Sequence, residues 1–215
     1  MKFTQRYNWL VPMLSFSIIL LVMRAIHTRT FMFWFIPWNL LLAGLPLVFS
    51  HWLNKATDKL SSWCIFGLWL LFFPNAMYIV TDLFHLHESE GVPQWFDLLL
   101  LFSAALNGVL MGMTSLYNAE QFLKRKIASR YIHPALFSIF LLCGYGIYLG
   151  RYLRWNSWDI FTQPFGLLLS IAHSVRRPHR SIETWMLTGL FAVWLYLLYK
   201  YATKAITSRL LNTQS

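Results

Sequence analysis

Long apolar runs alternate with short polar segments along the whole chain. Runs of about 20 apolar residues suffice to cross a hydrocarbon core roughly 30 Å thick. Because backbone polar groups cannot go unpaired in lipid, every crossing segment must be helical. The pattern therefore predicts an all-α polytopic membrane protein with six transmembrane helices. These spans are expected near residues 9–26, 31–50, 61–81, 95–117, 132–152 and 185–201.

A further apolar run, residues 160–172, is too short to cross the membrane and too apolar for an ordinary loop. Thr162 is suited to cap a helix there, and Pro164 is tolerated in a first helical turn. We expect a helix that lies in the membrane interface or dips into it as a re-entrant segment, and the pattern leaves both open. The spans form one predicted domain, residues 1–208, followed by a short cytoplasmic tail, residues 209–215.

Composition and charge agree with a membrane protein. The chain is 57% hydrophobic and 12% charged, whereas an ordinary soluble domain has roughly 25% charged residues. The formal net charge of +10 comes from short basic groups between the apolar runs, which indicate topology and do not indicate nucleic-acid binding. If the N-terminus is cytoplasmic, eleven of the 18 Lys and Arg residues lie inside and seven outside. Both termini are therefore predicted to be cytoplasmic.

The most conspicuous polar segment, residues 73–97, joins the third and fourth spans. At about 100° per residue, four of its side chains fall within one sector of a helix. They are Asn75, Tyr78, Asp82 and His85. This stripe runs toward the predicted outer surface, and Pro74 is expected to kink the span. In the alternative interpretation, Asn75 and Tyr78 bridge neighbouring helices and Asp82 caps a helix end.

Carboxylate and imidazole groups in this segment suit general-base catalysis, or a divalent metal such as zinc, manganese or iron. The candidate catalytic or metal-ligating residues are Asp82, His85 and Asp97. The neighbouring His87, Glu88 and Glu90 are more typical of a solvated loop.

A second polar segment, residues 150–159, ends the fifth span. Arg151 and Arg154 are three residues apart, so on a continuing helix they project in neighbouring directions. Two guanidinium groups in this arrangement are able to clamp carboxylates or a phosphate. We expect them to pair with Asp82 and Asp97, which lie on the same predicted side of the membrane. The alternative is contact with lipid phosphates.

Small and polar residues also mark the interiors of the spans. Gly108 and Gly112, like Gly146 and Gly150, are spaced four apart, which is typical of close helix packing. Either face is a predicted contact for a homo-oligomer. Asn107 lies near mid-membrane, where an interhelical hydrogen bond is favoured over a substrate contact.

Four strings of residues carry a resemblance to a known family. They are Trp-Asn-Leu-x-Leu-Ala-x-x-Pro (38–46), Phe-Pro-Asn-Ala-x-Tyr-x-x-Thr-Asp-Leu-x-His-Leu (73–86), Trp-Phe-Asp-Leu (95–98) and Gly-Arg-x-x-Arg-Trp-Asn-Ser-Trp-Asp (150–159). With these strings the chain resembles the bacterial integral-membrane family catalogued as domain of unknown function 1361. The resemblance implies a multi-pass protein of the bacterial cytoplasmic (inner) membrane and supplies no reaction or ligand. Its motif positions are Asn39, Asn75, Asp82, His85, Asp97, Arg151, Arg154, Asn156 and Asp159.

Three function classes stay open beside a purely structural scaffold. In the first, the protein binds an anionic lipid head group or envelope precursor, and membrane lipids are its partners. The ligand-binding residues are then Asn75, Arg151, Arg154, Asn156 and Asp159. In the second, it is a membrane-embedded hydrolase or transferase that uses Asp82 and His85, with or without a metal. In the third, it is a small transporter whose path follows Asn75, Asp82 and Asn107.

Overall fold

The computed structural model describes residues 7–86, 91–176 and 182–212. All regular secondary structure in this part of the chain is helical, which confirms the predicted all-α class. The helices are α1 (Leu10–Thr28), α2 (Phe35–Leu53), α3 (Lys59–Tyr78), α4 (Gln94–Lys126), α5 (Ile132–Tyr152), α6 (Asp159–Thr162), α7 (Pro164–Arg176) and α8 (Ile182–Asn212), with 3-10 segments at Ile79–His85 and Ser129–Tyr131.

Within the described ranges, five helical segments are long and apolar enough to cross a membrane. They are α1, α2, α3 with its 3-10 extension, α4, and α5 with the 3-10 turn before it. These segments coincide with the first five predicted spans, although α4 continues further than predicted, to Lys126. The sixth predicted span, residues 185–201, lies within helix α8. Its crossing of the membrane stays a prediction.

The chain divides into two compact units, Met1–Phe122 and Leu123–Ser215. The single domain over residues 1–208 stays a prediction. In the first unit, the fully buried Ile36 of α2, Ala76 of α3 and Leu100 of α4 belong to one hydrophobic core.

Small residues let α4 approach α3 closely in the first unit. A Cβ atom at Gly108 would overlap the Ile79 side chain, and a Cβ atom at Gly112 would overlap the end of Met77. The spacing of the two glycines thus serves close helix packing, as predicted. The homo-oligomer contacts expected through this face, or through the other glycine face, stay predictions.

The third span changes helix type near its end. Helix α3 contains Pro74 and ends at Tyr78, and the chain continues as a 3-10 helix through His85. A 3-10 helix has three residues per turn, so Ile79, Asp82 and His85 share one of its faces. The polar stripe predicted above assumed 100° per residue past Tyr78, and that assumption is wrong.

In the second unit, helix α5 packs against α8. A Cβ atom at Gly144 would lie 2.6 Å from the Thr188 carbonyl oxygen, so this backbone approach requires glycine. The fully buried Phe140, one turn earlier, contacts the rings of Tyr196 and Tyr199 on α8. The close contact therefore involves a glycine that neither predicted pair included.

The short apolar helix predicted over residues 160–172 is present as α7, but it begins at Pro164. Thr162 belongs to the one-turn helix α6 before it, and its hydroxyl donates to Asp159 Oδ1 at 3.0 Å instead of capping α7. Between the two helices, Gln163 adopts φ −140° and ψ 55°. The α conformation is disfavoured for a residue that precedes proline. Pro164 therefore separates α6 from α7.

Candidate functional site

A buried ion pair joins α1 to α4 in the first unit. Arg24 Nε donates to Asp97 Oδ1 at 2.6 Å, and Arg24 Nη2 donates to Asp97 Oδ2 at 3.1 Å. The Arg24 side chain is 2% exposed and the Asp97 side chain 0%. Two such bonds fix the orientation of the guanidinium plane while each charge neutralises the other.

A closed ring of hydrogen bonds orders the turn after α1 around this ion pair. Arg24 Nη1 donates to Thr30 Oγ1 at 3.3 Å, and the Thr28 hydroxyl donates to the Arg24 carbonyl oxygen at 2.9 Å. The two threonine hydroxyls lie 2.8 Å apart. Because the Thr28 hydrogen is used on the carbonyl, Thr30 is the donor between them. The guanidinium also lies 4.5 Å from the Phe33 ring centroid, within cation–π range.

The start of α4 favours the Asp97 charge. Asp97 lies in the first turn of α4, and a helix N-terminus stabilises an anion. The geometry therefore supports a structural, ion-pairing role for Asp97, in which both carboxylate oxygens accept bonds from Arg24.

A second polar contact links α2 to the 3-10 segment. Asn39 Nδ2 donates to Asp82 Oδ2 at 2.7 Å, and Asp82 is 3% exposed. One turn earlier on α2, the Phe35 and His85 ring centroids lie 5.1 Å apart. Phe35 and Asn39 are one α-helical turn apart on α2, and Asp82 and His85 are one 3-10 turn apart on the facing segment. The two pairs therefore lie opposite each other.

The first half of the predicted stripe lies at the end of α3. Asn75 Nδ2 donates to the Phe72 carbonyl oxygen at 3.1 Å. The Tyr78 carbonyl oxygen accepts from the Thr81 hydroxyl at 2.7 Å, where α3 changes to the 3-10 segment. Asp82 and His85, the second half of the stripe, contact α2.

The metal prediction concerns residues on both sides of a gap in the described chain. Within residues 7–86, 91–176 and 182–212, no three His, Cys, Asp or Glu side chains are grouped so that they could hold a metal ion. His87, Glu88 and Glu90 lie outside those residues. A divalent metal at Asp82, His85 and Asp97 stays a prediction.

The polar segment after α5 folds into a defined turn. Arg154 has a left-handed backbone, with φ of 58°, which is uncommon for a residue other than glycine. The Trp155 amide donates back to the Leu149 carbonyl oxygen at 3.0 Å. Asp159 Oδ2 accepts from the backbone amide of Asn156 at 2.7 Å. Asn156 and Asp159 therefore hold the turn, and the turn holds Arg154 in its strained conformation.

The two arginines of this segment lie in different settings. Arg151 is half-buried in the last turn of α5, where a cation complements the negative end of the helix dipole. Arg154 is exposed, and its side chain makes no hydrogen bond or ion pair with another described residue of the second unit. The expected pairing of both arginines with Asp82 and Asp97 stays a prediction.

Helices α6 and α7 present exposed apolar side chains next to this turn. Phe165 is 81% exposed, Leu169 71% and Phe161 70%. On the other side of α7, a Cβ atom at Gly166 would lie 2.9 Å from the Trp155 ring, so Gly166 allows α7 to pack against the turn. An amphipathic helix is thus fixed beside an exposed arginine.

Asn107 forms the predicted interhelical hydrogen bonds. Its Nδ2 donates to the Met13 carbonyl oxygen at 3.0 Å and to Ser17 Oγ at 2.9 Å, both on α1. Its use in a substrate path stays a prediction.

The fold and these polar regions define a class, namely an all-helical protein with the apolar helices of a membrane-embedded chain. Within that class, the chain belongs to the family described as "Protein of unknown function (DUF1361)", whose model matches residues 38–198. This match confirms the resemblance found in the motif strings. No curated protein and no solved structure matches the chain.

Sequence reasoning missed Arg24, the partner of Asp97. Arg24 lies before residues 38–198, which the family model matches. In the prediction of topology it was only one of the seven basic residues on the outer side. A signal was present, because Arg24 is a charge within an apolar run. A charge in such a place calls for a partner of opposite sign.

Proposed function

We propose that the protein binds the phosphate of an anionic lipid head group, or of a lipid-linked envelope precursor, at the turn between α5 and α7. The site faces the outer side of a bacterial cytoplasmic membrane. Arg154 is the main contact and Arg151 is the second cation. The observation that carries the proposal is the exposed Arg154 guanidinium on a hydrogen-bonded turn.

Guanidinium chemistry suits a phosphate at this turn. The planar group offers two parallel N–H donors to two phosphate oxygens. Because the backbone of Arg154 is already fixed, binding orders only its side chain, which lowers the entropic cost. The nearby acid Asp159 directs its oxygens into the turn, toward the Asn156 amide and the Thr162 hydroxyl. Its charge therefore opposes an anion less than a freely rotating carboxylate would.

The exposed apolar side chains beside the turn favour a lipid over a soluble phosphate. Phe161, Phe165 and Leu169 are each at least 70% exposed. Apolar side chains of this kind are stabilised when they are buried at the boundary between head groups and acyl chains. A lipid with its phosphate at Arg154 places its chains at that depth. On this proposal, α7 is an interfacial helix.

The same geometry gives less support to a hydrolase or transferase. The two candidate carboxylates, Asp82 and Asp97, already accept hydrogen bonds from Asn39 and Arg24. A general base needs a lone pair directed at substrate.

Native mass spectrometry of the full-length protein, titrated with phosphatidylglycerol, tests the proposal. Arg154→Gln removes the charge-assisted hydrogen bonds to the phosphate, which are worth about 1.5–3 kcal/mol, so the affinity is expected to fall by about tenfold or more. Arg29→Gln is the matched control, because Arg29 is also exposed and also left-handed, with φ of 54°. Equal affinities for the wild type and Arg154→Gln would overturn the proposal, and so would an equal loss in Arg29→Gln.

A further inference from the structure

A polar cluster lies between α1 and α4, away from the proposed lipid site. It consists of Asn107, which is 1% exposed, Ser17, which is 0% exposed, and the half-buried Ser103. Ser17 Oγ and Ser103 Oγ are 2.9 Å apart, and Asn107 Nδ2 lies 2.9 Å from Ser17 Oγ. All three residues belong to segments apolar enough to cross a membrane.

The direction of every hydrogen bond in this cluster follows from counting hydrogens. Ser103 donates its hydroxyl hydrogen to the Leu100 carbonyl oxygen at 2.8 Å. Ser17 must therefore be the donor toward Ser103, and it accepts from Asn107. The second amide hydrogen of Asn107 goes to the Met13 carbonyl oxygen at 3.0 Å. No hydrogen of the cluster is left over.

One acceptor in the cluster has no donor. Asn107 Oδ1 is buried and accepts no hydrogen bond from any residue in the described part of the chain. Exchanging the amide oxygen and nitrogen does not help, because Oδ1 would then face the Met13 carbonyl oxygen, and two acceptors repel. A buried acceptor without a donor is destabilising, so native proteins commonly satisfy such an atom with an internal water.

We infer that Asn107 Oδ1 is the acceptor for one internal water molecule, bound between α1 and α4 within the spanning part of the first unit. Water fits better than a metal cation, because a cation requires several oxygen ligands at once. Here the Met13 and Leu100 carbonyl oxygens are already hydrogen-bonded. The Ser103 hydroxyl oxygen, one turn before Asn107, accepts one bond from Ser17 and keeps a second lone pair for the other hydrogen of the water. The contact between α1 and α4 at Asn107 is therefore hydrated, although the surrounding helices are apolar. It is independent of the lipid site proposed above.

Water-edited solid-state NMR of the full chain in lipid bilayers tests this inference. Magnetisation that starts on water is expected to reach the Asn107 side-chain amide at short mixing times. Trp69 is the internal control, because its side chain is fully buried and its Nε1 donates to Ser115 Oγ at 3.2 Å. Its indole signal is expected to build up several-fold more slowly, since a protein group already satisfies it.

Two results overturn the inference. One is a build-up at Asn107 that is as slow as at Trp69. The other is a rapid build-up that appears only when sodium or potassium is present, which assigns the site to a cation. Because the wild-type protein supplies both the signal and its control, the result does not depend on whether a variant folds.

Discussion

The turns that follow α1 and α5 use arginine in opposite ways. Each turn contains a left-handed arginine, Arg29 with φ of 54° and Arg154 with φ of 58°. Just before the first turn, still within α1, a second arginine, Arg24, is buried against Asp97. After α5, the nearby acid, Asp159, is bonded to the turn itself, and Arg154 stays exposed.

The origin of the acid accounts for this difference. Asp97 comes from another helix, 73 residues along the chain from Arg24, so their bond ties two helices together. Asp159 comes from the same turn, three residues from each of its partners, Asn156 and Thr162. A distant acid neutralises a cation and stabilises the fold. A local acid shapes the turn and leaves the cation available to a ligand.

The largest expected effect comes from breaking the buried ion pair. Arg24→Gln leaves the Asp97 carboxylate buried without its cation, which is expected to lower the free energy of unfolding by about 3–5 kcal/mol. Chemical denaturation of the protein in detergent measures this loss. Arg29→Gln, in the turn that follows α1 and exposed, is expected to stay within about 0.5 kcal/mol of the wild type. If the two variants lose the same stability, Arg24 has no special structural role.

The double variant Arg24→Met with Asp97→Leu sharpens that result. Replacing a buried ion pair by apolar side chains of similar size is often neutral or stabilising. Most of the stability lost in Arg24→Gln is therefore expected to return. A double variant no more stable than Arg24→Gln would show that Arg24 and Asp97 act separately.

A smaller loss is expected at the contact between α2 and the 3-10 segment. Asn39→Leu removes the donor to the buried Asp82, and a hydrogen bond to a charged group is worth about 1.5–3 kcal/mol. The same denaturation experiment measures it. A loss below about 0.5 kcal/mol, the level of an ordinary surface change, contradicts the contact.

Close packing of α3 on α4 is tested by adding a single methyl group. Gly108→Ala brings a Cβ atom into the Ile79 side chain and to 2.8 Å from the Ala76 carbonyl oxygen. Overpacking of this kind costs about 1–3 kcal/mol. At Gly67 no atom lies within 4 Å of an added Cβ, so Gly67→Ala is expected to be neutral, or stabilising by up to about 1 kcal/mol through helix propensity. If both variants are neutral, the close contact is absent.

The smallest effect on stability is expected at the end of α5. Arg151→Gln removes a cation that complements the helix dipole, a contribution of about 0.3–1 kcal/mol before solvent screening. Arg154 lies beyond the helix end, so Arg154→Gln is expected to leave the unfolding free energy unchanged while it weakens lipid binding. A stability loss in Arg154→Gln larger than in Arg151→Gln contradicts this division of roles.

Sequence alone predicts the features that depend on local pattern. The first five spans follow from the length of the apolar runs, and the short apolar helix α7 follows from a run too short to cross. The start of α7 at Pro164 was also predictable from the sequence, because the residue before a proline avoids the α conformation. The interhelical hydrogen bonds of Asn107 follow from the cost of an unpaired amide in an apolar environment.

The pairing of residues far apart in the chain could not be predicted from the sequence in the same way. Nothing in the sequence near Asp97 indicates that its partner is Arg24, because the pairing depends on how α1 and α4 pack. The change to a 3-10 helix after Tyr78 is also not predictable from the pattern, because the mixture of apolar and polar residues at 79–85 is compatible with either helix type. Both features depend on tertiary contacts, which decide between locally acceptable structures.

The most direct test of the central claim is the distance from the arginine side chain to lipid phosphate. Solid-state NMR measures it as dephasing of guanidinium ¹⁵N signals by lipid ³¹P, with ¹⁵N-arginine protein in phosphatidylglycerol bilayers. We predict that Arg154→Gln removes a strongly dephased signal and that Arg29→Gln leaves that signal in place. If Arg154→Gln shows the same set of strongly dephased signals as the wild type, the account is contradicted.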